Sequence, residues 1–287
     1  MPSCSSPYAG KRVALATRHG KERVIARPLR HGLGAELLHL SGIDTDRLGS
    51  FCGTVERRGS ARDACLAKAE LALQQGGTGL AIASEGSFGP HPLVPLLAVG
   101  LECMVFVDQE RGLTIEEQLI ARRTNHSSHQ LSQGAGLNPP ERQAFERWLG
   151  SIGFPDHAVL IRADRVIAKG IHSRDQLEQL LLQATSQGMV SVETDMRAHC
   201  NPTRMGSIRE LAFRLIRRIG QSCPACGTPG WGQIERLPGL PCQDCGQPTP
   251  LLRTEVLGCS HCEHRQYRGR RDGRSSADPA HCPSCNP

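Results

Sequence analysis

Residues 189–205 read Met-Val-Ser-Val-Glu-Thr-Asp-Met-Arg-Ala-His-Cys-Asn-Pro-Thr-Arg-Met and bring Glu193, Asp195, Arg197, His199, Asn201 and Arg204 within twelve positions. The first residues alternate apolar and polar side chains, as a half-buried strand does. Asn201 or Thr203 can cap the helix that follows, whose Ile208, Leu211, Ala212, Leu215, Ile216 and Ile219 share one face. A strand that ends in acids and bases and turns into a helix N-terminus suits phosphate or metal chemistry. The structural alternative is a corner held by local ion pairs.

Downstream lie four Cys-x-x-Cys pairs, Cys223/Cys226, Cys242/Cys245, Cys259/Cys262 and Cys282/Cys285, separated by 15, 13 and 19 residues. Each pair can grip one metal ion from a tight knuckle, and two pairs close a tetrahedral site with no open position. The array therefore predicts two structural zinc ions. Sequential pairing, giving two tandem zinc ribbons, is the simplest arrangement, and interleaved pairing is the other. His261, His264 and His281 are surplus if all the cysteines ligate. The basic run from Arg265 to Arg274 is read as a solvated loop, with a nucleic-acid contact as the alternative. Cys200 stands beside His199, but neighbours on a strand face opposite ways, which disfavours a Cys–His nucleophile.

Two more groups of residues could do chemistry. Residues 11–17 form an apolar strand, and the loop after it offers the Thr17 hydroxyl and the Lys21 ammonium to an anion. Residues 79–83 form a short buried strand running into Ser84-Glu85-Gly86-Ser87-Phe88-Gly89-Pro90-His91-Pro92. There an acid sits beside glycines that let a ligand approach the backbone, and His91 is held between two prolines. Asp44 and Asp46 read more simply as an Asp-rich turn than as a cation site.

The elements that must position these residues alternate. Strands are predicted at 11–17, 34–41, 79–83, 101–108, 158–161 and 189–194, and helices after 21, at 60–75, at 140–151 and at 174–186. Ser60 with Asp63 makes a capping-box signature, and Lys68 falls two turns into that helix. Residues 125–137 read as a mobile loop. Repeated strand–helix units predict an α/β fold with a mostly parallel, doubly wound sheet, its ligands at the carboxyl ends of the strands. The expected division is an α/β domain over residues 1–220 and a Cys-rich zinc domain over 221–287.

Composition narrows the classes. Aromatic residues make up 3% of the 287, so the core is aliphatic and base stacking has few platforms. No apolar run is long enough for a membrane span, and the first residues lack a signal-peptide pattern. A cytoplasmic location is therefore expected, where thirteen cysteines serve as ligands or free thiols. Residues 204–287 hold twelve Arg, no Lys and seven acids, so +5 of the +6 net charge lies there. Two tetrathiolate zinc sites at about −2 each would reduce that to about +1, which weakens a nucleic-acid reading based on total charge.

Two resemblances add to these readings. The phrases Glu85-Gly-Ser-Phe-Gly-Pro-His-Pro92, Glu193-Thr-Asp-Met-Arg-Ala-His199 and Asn201-Pro-Thr-Arg204, with the Cys-Pro-x-Cys knuckles, make the whole chain resemble an uncharacterised bacterial family of unknown function. Residues 12–108 are similar to the inosine/xanthosine triphosphate pyrophosphatase superfamily. Ala16-Thr17 and Lys21 match its opening strand, Glu56 and Lys68-Ala69 its Glu and helical Lys-Ala twelve residues apart, and Ser84-Glu85-Gly86 its acidic strand end. The chain has Arg18-His19 where that family has Asn, and Ser84-Glu85 where it has paired Asp.

The second resemblance implies a Mg²⁺-dependent hydrolase of a nucleotide or related phosphate compound. Glu56, Glu85 and Asp195 would hold metal. Thr17, Lys21, Lys68, Arg197 and Arg204 would hold phosphates, and His91 or His199 would position substrate or carry a proton. The alternative is a non-enzymatic zinc-ribbon protein that binds nucleic acid or a protein partner.

Overall fold

The computed structural model describes residues 6–45, 59–90, 98–121, 123–132, 138–185 and 188–287. Glu56, His91, Asp46 and Cys52 lie outside the described residues. The first half of the chain builds β1 (Arg12–Ala16), α1 (Glu22–Leu33), β2 (Glu36–Leu40), α2 (Ala61–Gly76), β3 (Leu80–Pro90), β4 (Ala98–Asp108) and β5 (Leu113–Ile120). They form one five-stranded sheet in the order β2-β1-β3-β4-β5.

That sheet is mixed, which corrects the expectation of a mostly parallel one. β1 runs parallel to β2 and β3, as the strand–helix alternation requires, but β3, β4 and β5 are antiparallel neighbours. Connection length explains the change. Seven residues separate β3 from β4 and four separate β4 from β5. A parallel crossover needs about a dozen residues or more, whereas a hairpin needs only a few.

The chain from β6 (Ser128–Leu131) through α3 (Pro139–Ile152), β7 (Val159–Arg162), β8 (Val166–Ile171) and α4 (Arg174–Thr185) to β9 (Val190–Thr194) forms a separate four-stranded sheet, order β6-β9-β7-β8. All its pairings are antiparallel. Its core is distinct as well, with Leu131, Phe145, Leu149, Ile161, Ile171, Leu177 and Val192 buried together. Part of the segment read as a mobile loop is thus β6, paired with β9. Its Ser-His-Gln-Leu sequence lacks the apolar run that marks a strand.

α5 (Pro202–Ile219) returns the chain to the first sheet. Its apolar face packs with α1 over Leu15, Ile82, Met104 and Phe106, while α2 covers the opposite face through Cys65, Ala69, Ala72, Ala83 and Val105. Helices therefore flank both faces of the mixed sheet. Local signals set their starts. Ser60 and Asp63 exchange the reciprocal bonds of a capping box, Asn138 and Glu141 do the same for α3, and Asn201 Oδ1 accepts the Arg204 N–H at 3.0 Å. The last segment adds β10 (Gly232–Pro238), β11 (Leu252–Gly258) and β12 (Arg265–Gly269), an antiparallel sheet. The start of the basic run read as a solvated loop is thus an exposed edge strand. No described helix is long and apolar enough to cross a membrane.

α1 packs against α5 at Gly32, where an added Cβ would collide with the Cγ2 methyl of buried Ile216. Gly32→Ala should therefore destabilise by about 1–3 kcal/mol through overpacking, despite the better helix propensity of alanine. In an Ile216→Ala background the same substitution should become neutral or stabilise by roughly 0.5–1 kcal/mol. Denaturant midpoints of the four chains read that sign reversal directly.

Candidate functional site

β1 and β3 are parallel, so their carboxyl ends share one edge of the sheet. β1 leads into Thr17 and the loop to Lys21, and β3 continues as Ser84-Glu85-Gly86. β4 runs back past this edge with Cys103 opposite Glu85 and Glu102 opposite Gly86. Because strand side chains alternate, Glu85 joins Cys103 on the α2 face, while Glu102 joins Met104 on the α1/α5 face. Each acid meets its own cation. Lys68 of α2 donates to Glu85 Oε2. Arg204, in the first turn of α5, donates from Nε to Glu102 Oε1 at 2.6 Å and from Nη2 to Oε2 at 3.3 Å. Gly86 leaves room for this pair: a Cβ there would lie 2.5 Å from Arg204 Nη2 and 2.6 Å from Glu102 Oε2.

Lys21 sits at the same rim. Its ammonium donates to the Ser84 carbonyl at 2.6 Å and to the Ser84 hydroxyl at 3.4 Å, both neutral acceptors. Lys21, Lys68, Glu85, Glu102 and Arg204 are all buried. Among the described residues, three cations thus face two carboxylates, and the surplus positive charge falls on Lys21. Burial lowers its pKa from 10.5 to about 8; Arg204 and Lys68 push the same way, while Glu85 and Glu102 oppose them. Thr17, also buried, accepts the His19 N–H on its hydroxyl at 3.3 Å.

The corner at 195–204 adjoins this rim. Arg204 Nη1 donates to the Met196 carbonyl at 2.6 Å, which ties the end of the second sheet's last strand to the first sheet. The Asp195 carboxylate turns to Arg197, which donates from Nη2 to Oδ2 at 2.6 Å and from Nε to Oδ1 at 3.0 Å, and it also accepts the Gly170 N–H at 2.9 Å. Burial raises the Asp195 pKa, but the bonds and charge of Arg197 outweigh it and the net shift is downward. His199 stacks on His19 with ring centroids 5.0 Å apart. Burial, then Lys21 and His199, hold His19 down to about 3, and burial with Arg197 lowers His199 too. Both rings are neutral at pH 7. Burial raises the Cys200 thiol to about 11, which makes it a poor nucleophile.

Thr17, Lys21, Lys68, Glu85 and Arg204 therefore meet at one sheet edge, with Arg197 and His199 next to it across His19. Next to Asp195, Met196 reaches Arg204 through its carbonyl, while the Asp195 carboxylate is engaged with Arg197 and the Gly170 N–H. Glu102 was missed in the sequence. Its signal was an isolated acid inside the apolar run Leu-Glu-Cys-Met-Val-Phe-Val. Among the described residues, every group of side chains that could hold a metal ion is made of cysteines. Glu85 and Glu102 lie on opposite faces, each already paired, so the described acids do not make a Mg²⁺ site.

The cysteines form two groups of four, Cys223/Cys226/Cys259/Cys262 and Cys242/Cys245/Cys282/Cys285. The pairing is interleaved, which corrects the simpler sequential arrangement. The β10–β11 ladder dictates it. Gly232, after the first knuckle, pairs with Gly258, before the third, so these knuckles share one end of the ladder. The second knuckle lies in the turn at the other end, where Cys242 also bridges to Ala277 and brings in the fourth. Sulfur–sulfur distances of 3.8 and 3.6 Å in one group and 3.9 and 3.5 Å in the other fit zinc. Bonds of about 2.3 Å in a tetrahedron put sulfurs roughly 3.8 Å apart. The first two knuckles repeat one turn: Gly227 and Gly246, both at φ 73°, donate back to Cys223 and Cys242. That left-handed conformation favours glycine. His264 stacks on Trp231 at 5.3 Å, away from any ligand role.

A family model described as Domain of unknown function (DUF6671) matches residues 68–287. That is more than half of the chain, which belongs to this family. No curated protein and no solved structure matches.

Because one ladder links both metal centres, zinc should leave them together. The purified chain should carry about two zinc ions, chelator should release both in one cooperative step, and Cys259→Ser should weaken retention of both. Two independent release phases would show the centres uncoupled. Lys21 makes a second prediction. Its lowered pKa is a penalty of roughly 3 kcal/mol, fully present below pH 8 and fading as pH rises toward 10.5. Lys21→Met should therefore raise the melting temperature at pH 7 and lose that advantage near pH 10, as read by thermal melts across pH.

Proposed function

Membership of a family of unknown function supplies no activity, and we propose from the strand-end cluster that the chain is a hydrolase acting on a nucleotide or related phosphate compound. The zinc centres are structural in this reading. One observation carries it: among the described residues, Lys21 is a buried cation bonded only to neutral acceptors, in a cluster where described cations outnumber described carboxylates by one. An incoming phosphate would supply the missing anion, and water exclusion would strengthen the attraction.

The remaining groups take roles consistent with their contacts. Lys21 and the Thr17 hydroxyl bind phosphate oxygens. Lys68 exchanges Glu85 for phosphate, and the Glu85 carboxylate takes a proton from water. As the water oxygen bonds to phosphorus, the bond from phosphorus to the leaving oxygen breaks, and in this reading His199 relays a proton to that oxygen. Arg204 and Arg197 act differently from the sequence expectation. Each is committed to a carboxylate, so they hold the corner in place rather than the substrate. No step here runs through Mg²⁺, since the described acids do not converge on one ion.

A panel of nucleoside triphosphates, diphosphates and simple phosphate esters, incubated with and without Mg²⁺, tests the proposal by phosphate or pyrophosphate release. Turnover of at least one compound is expected. Glu85→Gln should lower kcat by about 100-fold or more, in the range for loss of a general base. Pyrophosphate should raise the melting temperature of the wild type, but not of Lys21→Met. No turnover of any compound, together with no pyrophosphate stabilisation, would remove the hydrolase reading.

A further inference from the structure

A second concavity lies away from the strand-end cluster, between α5 and β5 on one side and the β10–β11–β12 sheet on the other. It is a groove of 1010 Å³. Arg214, Arg217 and Arg218 of α5, Arg236 of β10, Arg268 of β12 and Arg271 just after it all line it, against Glu117 and Glu255. Some of that charge is already balanced. Arg218 bridges the two walls, donating to the Glu116 carbonyl at 2.7 Å, to Glu117 Oε1 at 3.2 Å and to the Gly230 carbonyl at 3.1 Å. Arg214 pairs with Glu210 at 2.6 Å. Arg268 and Arg271 share the single carboxylate of Glu255, at 2.6 and 3.6 Å. Among the described residues, Arg217 and Arg236 have no ion pair, and both are exposed.

We propose that this groove binds the sugar–phosphate backbone of single-stranded nucleic acid. Charge complementarity is the first argument. Arginines from both walls converge on one channel with few acids to offset them, and a strand's phosphates supply a row of anions to match. The choice of cation is the second. Residues 204–287 contain twelve Arg and no Lys, and the guanidinium fork pairs with phosphate through two bonds where an ammonium acts as a point charge. Shape is the third. A two-walled channel admits a strand, whereas reading a duplex calls for a helix or ribbon that projects into a groove. Trp231, stacked on His264, lines the same channel and gives a base one aromatic surface.

One cysteine group adjoins the Trp231 end of the groove, and Arg236 and Arg268 line it nearer mid-ladder. The thiolates reduce the total charge of the C-terminal third, but they lie at the two ends of the β10–β11 ladder. A strand meets the local arrangement, not the total. With so few aromatics in the chain, backbone charge carries the binding and base sequence matters little.

The test uses the full-length, zinc-loaded chain and a fluorescein-labelled oligouridylate of about 20 nucleotides, read by anisotropy between about 50 and 300 mM KCl. Binding is expected, with a log–log salt slope of roughly −3, which is about four phosphates at about 0.7 each. The double variant Arg217→Gln/Arg236→Gln touches neither the zinc ligands nor the strand-end cluster. It should keep zinc content and melting temperature, bind at least about tenfold more weakly and show a slope shallower by roughly 1.4. Any of four results would overturn the proposal: no binding at the lowest salt, equal affinity for a duplex of the same length, equally effective competition by polyglutamate, or unchanged binding by the double variant.

Discussion

The buried pair between Arg204 and Glu102 is the constraint on which most of the molecule turns. Glu102 lies mid-sheet in β4 and Arg204 opens α5, 102 residues later. Between them the chain builds an entire second sheet. The same guanidinium reaches the Met196 carbonyl, so a single side chain joins the first sheet, the end of the second and the start of α5. Removing one member of a buried pair leaves an uncompensated charge and costs about 3–5 kcal/mol. Satisfying both at once requires the N-terminus of α5 to sit against Gly86, where no side chain stands in the way. The helix that covers the first core is thereby registered against the strand ends that carry Lys21, Lys68 and Glu85.

Charge is unevenly satisfied at that edge, and the unevenness has a direction. Two of the three buried cations have a carboxylate each, and among the described residues Lys21 has only the carbonyl and hydroxyl of Ser84. A protein selected for stability alone would gain by an apolar side chain at that position. The penalty persists at neutral pH because the folded lysine keeps its proton below about 8. Under the proposed function, its relief by a bound phosphate would link the stability of the fold to occupancy of the site. The neutral His19 and His199 stack beside it add aromatic surface without adding charge.

The cysteine array follows a different logic, that of a ladder. Antiparallel pairing of β10 with β11 brings distant knuckles to a common end, so sulfur chemistry and strand register enforce one another. Each centre joins knuckles that are not adjacent in the chain. The segment between thus ends in two groups of four cysteines that could each hold a metal ion, which suits a small β-module without a large apolar core. Arg218 then fastens this module to β5 through the Glu116 carbonyl and Glu117. The arginine-lined groove runs along that join.

Local information was legible without the fold. The Ser60/Asp63 capping box, the Asn201 cap, the apolar face of α5 and the four knuckles all rest on spacings of a few residues, and the structure follows each of them. Thr17, Lys21 and Glu85 share an edge because parallel strands end together, and Lys68 joins them from α2, whereas Glu193, expected on the same edge, belongs to the second sheet and pairs with Arg162. Non-local pairing was not legible. β3 continues into an antiparallel partner because its connection is too short for a crossover, and Glu102 becomes part of the cluster only through that register. The same holds for Asp195, whose carboxylate is claimed by Arg197 and a backbone N–H on another strand. The knuckle pairing, too, was left open by sulfur spacing and decided by the β10–β11 ladder. Side-chain type and local spacing specify which groups can do chemistry. Which of them meet is decided by strand register and connection length, since these set the distances over which charge and ligation act.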